Sequence, residues 1–133
     1  MNDMTSLKAE EIIARARTLS GELGVSVCIA VVDAGAHLKA FQRMDGAILG
    51  AVDVAQRKAR AAVLFPMESG DFGQLVAQEQ LLGMESSNGG LALFHGGVPL
   101  FAREQLVGAV GVSGATAEQD RAIARHAAGV GRE

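Results

Sequence analysis

Residues 25–32 read Val-Ser-Val-Cys-Ile-Ala-Val-Val, a short run that is apolar and rich in β-branched residues. Its length and composition predict a strand. Both of its faces are apolar, so it reads as a central strand that needs cover on both sides. Asp33-Ala34-Gly35-Ala36 follows with turn chemistry, and residues 37–43 then alternate as a second strand. Two strands joined by so short a turn form a hairpin. The chain therefore begins its sheet antiparallel.

The rest of the pattern fits around that hairpin. Ala9, Ile12, Ile13, Ala16, Leu19 and Leu23 recur at helical spacing and predict a helix over residues 6–23, with Ser6 as N-cap and Gly24 as C-cap. A second helix is expected over 48–64, closed by Pro66, and a shorter one from about Asp71 to Leu82. Leu91-Ala92-Leu93-Phe94 reads as a strand, followed by a Gly96-Gly97 turn and strands over 98–102 and 106–113. Thr116-Ala117-Glu118-Gln119 is a capping-box pattern, so a last helix starts near residue 117. The expected order is α-β-β-α-α-β-β-β-α, an α+β fold with about five largely antiparallel strands.

Composition narrows the function classes. The chain has 133 residues, enough for one domain spanning 1–133 with its own core. It has no Trp or Tyr, which argues against a base-stacking platform for nucleic acid. A net charge of −3 argues against a phosphate-backbone binder. The lone cysteine, Cys28, lies inside the central apolar run and reads as a buried small hydrophobe. No apolar stretch approaches a membrane span and no secretory signal is visible, so a cytoplasmic protein is expected, with no membrane partner.

No strong catalytic motif is present, and His37, His95 and His126 have no metal-ligand spacing with one another, so no metal site is expected. The chemistry-bearing candidates lie at strand ends and loops. Asp33 ends the central strand, Arg43 and Asp45 flank Met44 after the second, and His95 sits beside Gly96-Gly97. These read either as turn caps and ion pairs or as the rim of a pocket. Lys58 and Arg60 read as solvated-face charges of the second helix. Gly108, Gly111 and Gly114 mark places where a ligand or another backbone comes close to a strand.

The run Val31-Val32-Asp33-Ala34-Gly35-Ala36-His37-Leu38, then Arg43-Met44-Asp45-Gly46-Ala47, resembles the N-terminal signature of the GlcG/HbpS-like family. Lys58-Ala59, Gly96-Gly97-Val98-Pro99-Leu100, Val107 to Gly114 and Glu118-Gln119-Asp120 fit the same pattern in order. The chain departs from it at Ala61, where Thr is frequent, at Pro66-Met67, where Pro-Thr is frequent, and at the Arg103-Glu104 turn. The resemblance implies a profilin-like fold and homo-oligomers, often octamers. For some members it implies haem or iron binding.

Three functions follow as expectations. The first is a homo-oligomer that binds a small ligand, with haem or a related planar cofactor leading, held by His37, Met67 or His95 and the strand at Gly108 and Gly111. Met67 otherwise reads as a core methionine. The second is a cofactor-free lyase or isomerase for a small organic acid. There Arg43 or Lys58 would hold a carboxylate, and Asp33, Asp45 or His95 would move a proton. The third is a structural or regulatory interaction module.

Overall fold

The structure, a computed structural model, describes residues 3–130. Its elements run α1 (Ser6–Leu23), β1 (Cys28–Asp33), β2 (Leu38–Arg43), α2 (Ala51–Leu64), α3 (Ser69–Gln78), a 3₁₀ turn at Met84–Ser86, β3 (Gly97–Ala102), β4 (Gln105–Ser113) and α4 (Ala117–Ala128). The strands form one antiparallel sheet in the order β2-β1-β4-β3. Cys28 of β1 lies opposite Arg43 of β2 on one side and Ser113 of β4 on the other. The central placement expected for the apolar run is what the sheet shows.

The two faces of the sheet are covered differently. Ile29 and Val31 of β1, Val98 and Leu100 of β3, and Val110 and Val112 of β4 pack against Ile12, Ile13 and Ala16 of α1 and Ile123, Ala124 and Ala127 of α4. Large branched side chains fill this layer. On the opposite face Cys28, Ala30, Val32 and Ala109 meet Ala51, Ala55, Ala59 and Ala62 of α2. Small residues on both partners bring α2 unusually close to the sheet. Cys28 has no exposed surface, and burial pushes its thiol upward, as its reading as a small hydrophobe requires.

Gly111 is the point of closest approach. A Cβ built there would lie 2.0 Å from the carbonyl oxygen of Ala55 and 2.7 Å from the amide nitrogen of Ala59. Its cross-strand partner Gly97 lies under the same helix, against the Lys58 carbonyl.

Three expectations are corrected. The sheet has four strands, not about five, because Leu91–Phe94 is irregular. Leu91 and Ala92 are buried, but the Leu91 N–H donates to the Glu85 carbonyl and the Phe94 carbonyl takes a side-chain donor, so neither joins a ladder. The Ser69 hydroxyl donates to the Phe94 carbonyl at 2.6 Å and accepts the Gly97 N–H at 2.8 Å. The N-cap of α1 is Thr5, whose hydroxyl accepts the Lys8 N–H at 3.1 Å, not Ser6. Helix α2 begins at Ala51, since Ile48 and Leu49 carbonyls are engaged in tight turns before it. The capping box at Thr116 is formed as expected. Thr116→Ala should cost about 1 kcal/mol of folding free energy, read as a shift in urea midpoint at unchanged slope.

No helix among the described residues is long and apolar enough to cross a membrane.

Candidate functional site

Lys58 is the most unusual side chain in the molecule. It points from α2 into the protein and has no exposed surface. Its Nζ donates to the Val112 carbonyl at 2.9 Å and to Asp120 Oδ2 at 3.2 Å. The ring of Phe94 covers it, with the centroid 4.7 Å from Nζ. The other Asp120 oxygen accepts the Ala115 N–H at 3.0 Å. One ammonium thus ties α2, the end of β4, the 91–96 segment and the first turn of α4 together. Burial pushes the Lys58 ammonium below its ordinary range and the Asp120 carboxyl above its own, in each case against the pull of the partner charge. The expectation that Lys58 lies on a solvated face is corrected. Its neighbour Arg60 is half-buried and holds the loop after α3 by donating to the carbonyls of Asn88 and Gly90.

His95 follows Phe94, whose ring covers Lys58, in the sequence. Its Nδ1 is buried without a hydrogen-bond partner. It presses on the first turn of α3, where a Cβ on Gly70 would lie 1.9 Å from it. Only glycine at position 70 leaves room for the ring. His95 also lines a pocket of about 390 Å³ together with Glu118, Arg121, Ala122 and Arg125 of α4. Glu68, just before α3, accepts from Arg121 Nε at 3.3 Å and from Arg125 Nε at 2.9 Å.

Asp33 and His37 form a second, separate arrangement at the β1–β2 turn. Asp33 Oδ1 accepts the N–H groups of Gly35 at 2.9 Å and His37 at 3.0 Å. The same oxygen lies 3.6 Å from His37 Nδ1, while the His37 side chain is 83% exposed. A pocket of about 500 Å³ opens beside this turn, lined in part by Asp33, Gly35, Lys39 and Gln105. Arg43 and Asp45 lie at the far end of the hairpin, beside Arg17, Gln42 and Met44.

Within one chain, then, the five side chains nominated for acid–base chemistry are spread over four places. Asp33 is at one end of β1, Arg43 and Asp45 are at the other, Lys58 is beneath α2 and His95 is against α4. Met67 is half-buried between α2 and α3. Gly108 and Gly111 are buried, and the close approach at each is by the chain's own backbone: Val32 at Gly108, Ala55 and Ala59 at Gly111. Among the described residues no three His, Cys, Asp or Glu side chains gather so as to hold a metal ion.

The sequence alone does not single out Asp120, Arg121, Arg125, Glu68 or Gly70 as site residues. Asp120 carried the one available signal, since it stands in the Glu118-Gln119-Asp120 motif. In isolation, however, it reads as an ordinary acidic residue in the first turn of a helix. The arginines and Glu68 are brought together from positions more than fifty residues apart, as the separations of their hydrogen bonds show.

This architecture has relatives. Over 105 residues the chain is 38% identical to Protein GlcG of Escherichia coli, covering 79% of this chain and 77% of that protein. The crystal structure of Klebsiella pneumoniae protein ORFY matches with a TM-score of 0.91 at 33% identity, over 96% of this chain and 90% of that one. A crystal structure of a PduOC complex with haem matches with a TM-score of 0.89 at 29% identity, over 95% of this chain and 93% of that one. Residues 4–129 match the family described as haem degrading protein HbpS-like. The chain belongs to the HbpS-like family.

Proposed function

We propose that this protein is a small-ligand-binding homo-oligomer whose ligand is haem or a related planar cofactor, with His37 as the iron-facing side chain. The observation that carries this reading is the Asp33–His37 arrangement. A histidine that ligates a metal usually turns its second ring nitrogen toward a carboxylate or carbonyl, which fixes the ring and raises its basicity. His37 Nδ1 lies 3.6 Å from Asp33 Oδ1, within ion-pair range and longer than a hydrogen bond, and two backbone N–H groups hold that carboxylate in place, so a small turn of the ring would close the contact. The opposite edge of the ring is open to solvent. Lys39, on the rim of the adjoining pocket, supplies a cation for a haem carboxylate.

The other nominated ligands fit less well. His95 has no acceptor at its inner nitrogen. Gly108 and Gly111 face protein backbone. Bound haem would supply a redox-active iron. The chain's own part is to orient His37 through Asp33 and to neutralise a carboxylate through Lys39. Because His37 is exposed, a ligand held there would itself be largely exposed, and a second copy of the chain would cover it. On the same reading the protein works in the cytoplasm.

Titration of the apo protein with hemin tests this. We expect a saturable Soret shift, and a loss of affinity of at least about tenfold in His37→Ala, with His95→Ala unchanged. An absent Soret shift, or a His37→Ala curve matching the parent, would overturn the reading.

A further inference from the structure

The pocket between the 91–96 segment and α4 is unused by the haem reading and lies apart from His37. We infer that it is a binding site for a small monocarboxylate, with His95 donating a hydrogen bond from Nε2.

The first step is the tautomer of His95. A neutral imidazole carries its proton on one nitrogen only. Nδ1 is buried, has no acceptor, and presses on the amino-terminal turn of α3 at Gly70. Burying an N–H with no acceptor is among the rarest defects in folded proteins. The first-turn amides and the positive end of the helix instead favour a lone pair at that place. The proton therefore sits on Nε2, which is not among the buried unpartnered atoms, on a ring that lines the pocket. A ring so protonated offers a donor to a ligand and has no lone pair there for a metal.

The second step is the pair of arginines. Arg121 and Arg125 stand one turn apart on α4, and Glu68 engages each through Nε. Among the described residues no hydrogen bond engages the Nη groups of either one; the nearest carboxylate, Asp71, is 3.9 Å from Arg121 Nη2. Glu68 thus aims two guanidinium groups while leaving their outer donors free. A planar two-oxygen acceptor matches that fork.

The third step is charge. Glu68, Asp71 and Glu118 outnumber the two arginines around the pocket, so recognition rests on directed donors instead of net positive charge. A second carboxylate on the ligand would add to the negative charge of Glu118, which lines the same pocket. A single carboxylate with a short apolar body, seated against Ala122, satisfies all three constraints.

Long-range ¹H–¹⁵N NMR of the histidine rings reads the tautomer directly, with no substitution. We expect His95 protonated at Nε2; protonation at Nδ1 overturns the inference. Sodium acetate, lactate, succinate and phosphate are then titrated against chloride at constant ionic strength. Acetate or lactate should shift the His95 ring signals saturably, and Arg125→Gln should weaken that binding at least tenfold, while His95→Gln, which retains a donor, weakens it less than His95→Ala. Saturable binding of phosphate or succinate alone, or of none of the four, overturns the assignment. Neither result bears on the Soret titration at His37, so the two readings fail separately.

Discussion

Replacing Lys58 with methionine should lower the folding free energy by about 3–5 kcal/mol, the usual cost of breaking a buried ion pair from one side. Methionine fills much of the same volume, so the loss is electrostatic. Asp120 would keep its bond from the Ala115 N–H but would face a buried, unpaired charge. The Val112 carbonyl would also lose its donor. The double variant Lys58→Met/Asp120→Asn tests the cause. Asparagine retains an acceptor for Ala115 and carries no charge, so most of the loss should return. Urea unfolding of the parent and both variants measures this. A single-variant cost below about 1 kcal/mol would place Lys58 in the range of exposed ion pairs and would refute its role as the tie between α2 and α4.

The second large effect is expected at Gly111. Alanine there adds one methyl group, normally a mild change in a strand. Here the methyl would lie 2.0 Å from the Ala55 carbonyl oxygen, and the atoms it meets are helix backbone. Backbone of a packed helix cannot swing aside as a side chain can, so α2 must move as a unit. Overpacking of this kind costs about 3 kcal/mol, and because α2 carries Lys58 the ion pair would be disturbed with it. Gly21 provides the contrast. It is in α1 with nothing within 4 Å of a built Cβ, so Gly21→Ala should stabilise by about 0.5–1 kcal/mol. Opposite signs for one chemical change at two glycines would show that the contacts, and not the residue type, decide. The measurement is again a urea or thermal midpoint.

Most of the architecture was readable because its signals are local. The apolar run at 25–32, the helical spacing of Ile12, Ile13 and Ala16, and the Thr116–Gln119 cap each fix an element from a few neighbouring residues. Leu91–Phe94 misled because burial and apolarity do not specify a ladder. Its ends are tied instead to other elements: the Leu91 N–H to the Glu85 carbonyl, and the Phe94 carbonyl to the Ser69 hydroxyl. Lys58 misled for a related reason. A lysine among Gln56, Arg57 and Arg60 reads as solvated, and only the fold supplies the Asp120 carboxylate that makes its burial tolerable. Gly108 and Gly111 of β4 are sites of close approach, and of the two approaching groups expected there, ligand or backbone, it is backbone: that of β1 at Gly108 and of α2 at Gly111. The site residues were the least legible part. His37 and Asp33 are four positions apart and belong to one turn, so their pairing is local. His95, Glu68 and the α4 arginines meet only after the chain has folded.

The central claim is that His37 is the side chain that presents itself to iron. Resonance Raman spectroscopy of the hemin-loaded, dithionite-reduced protein reads this most directly, through the stretching band of an iron–imidazole bond. The band should be present in the parent protein, absent in His37→Ala and restored there by added imidazole. A band that persists unchanged in His37→Ala, without added imidazole, would contradict the claim.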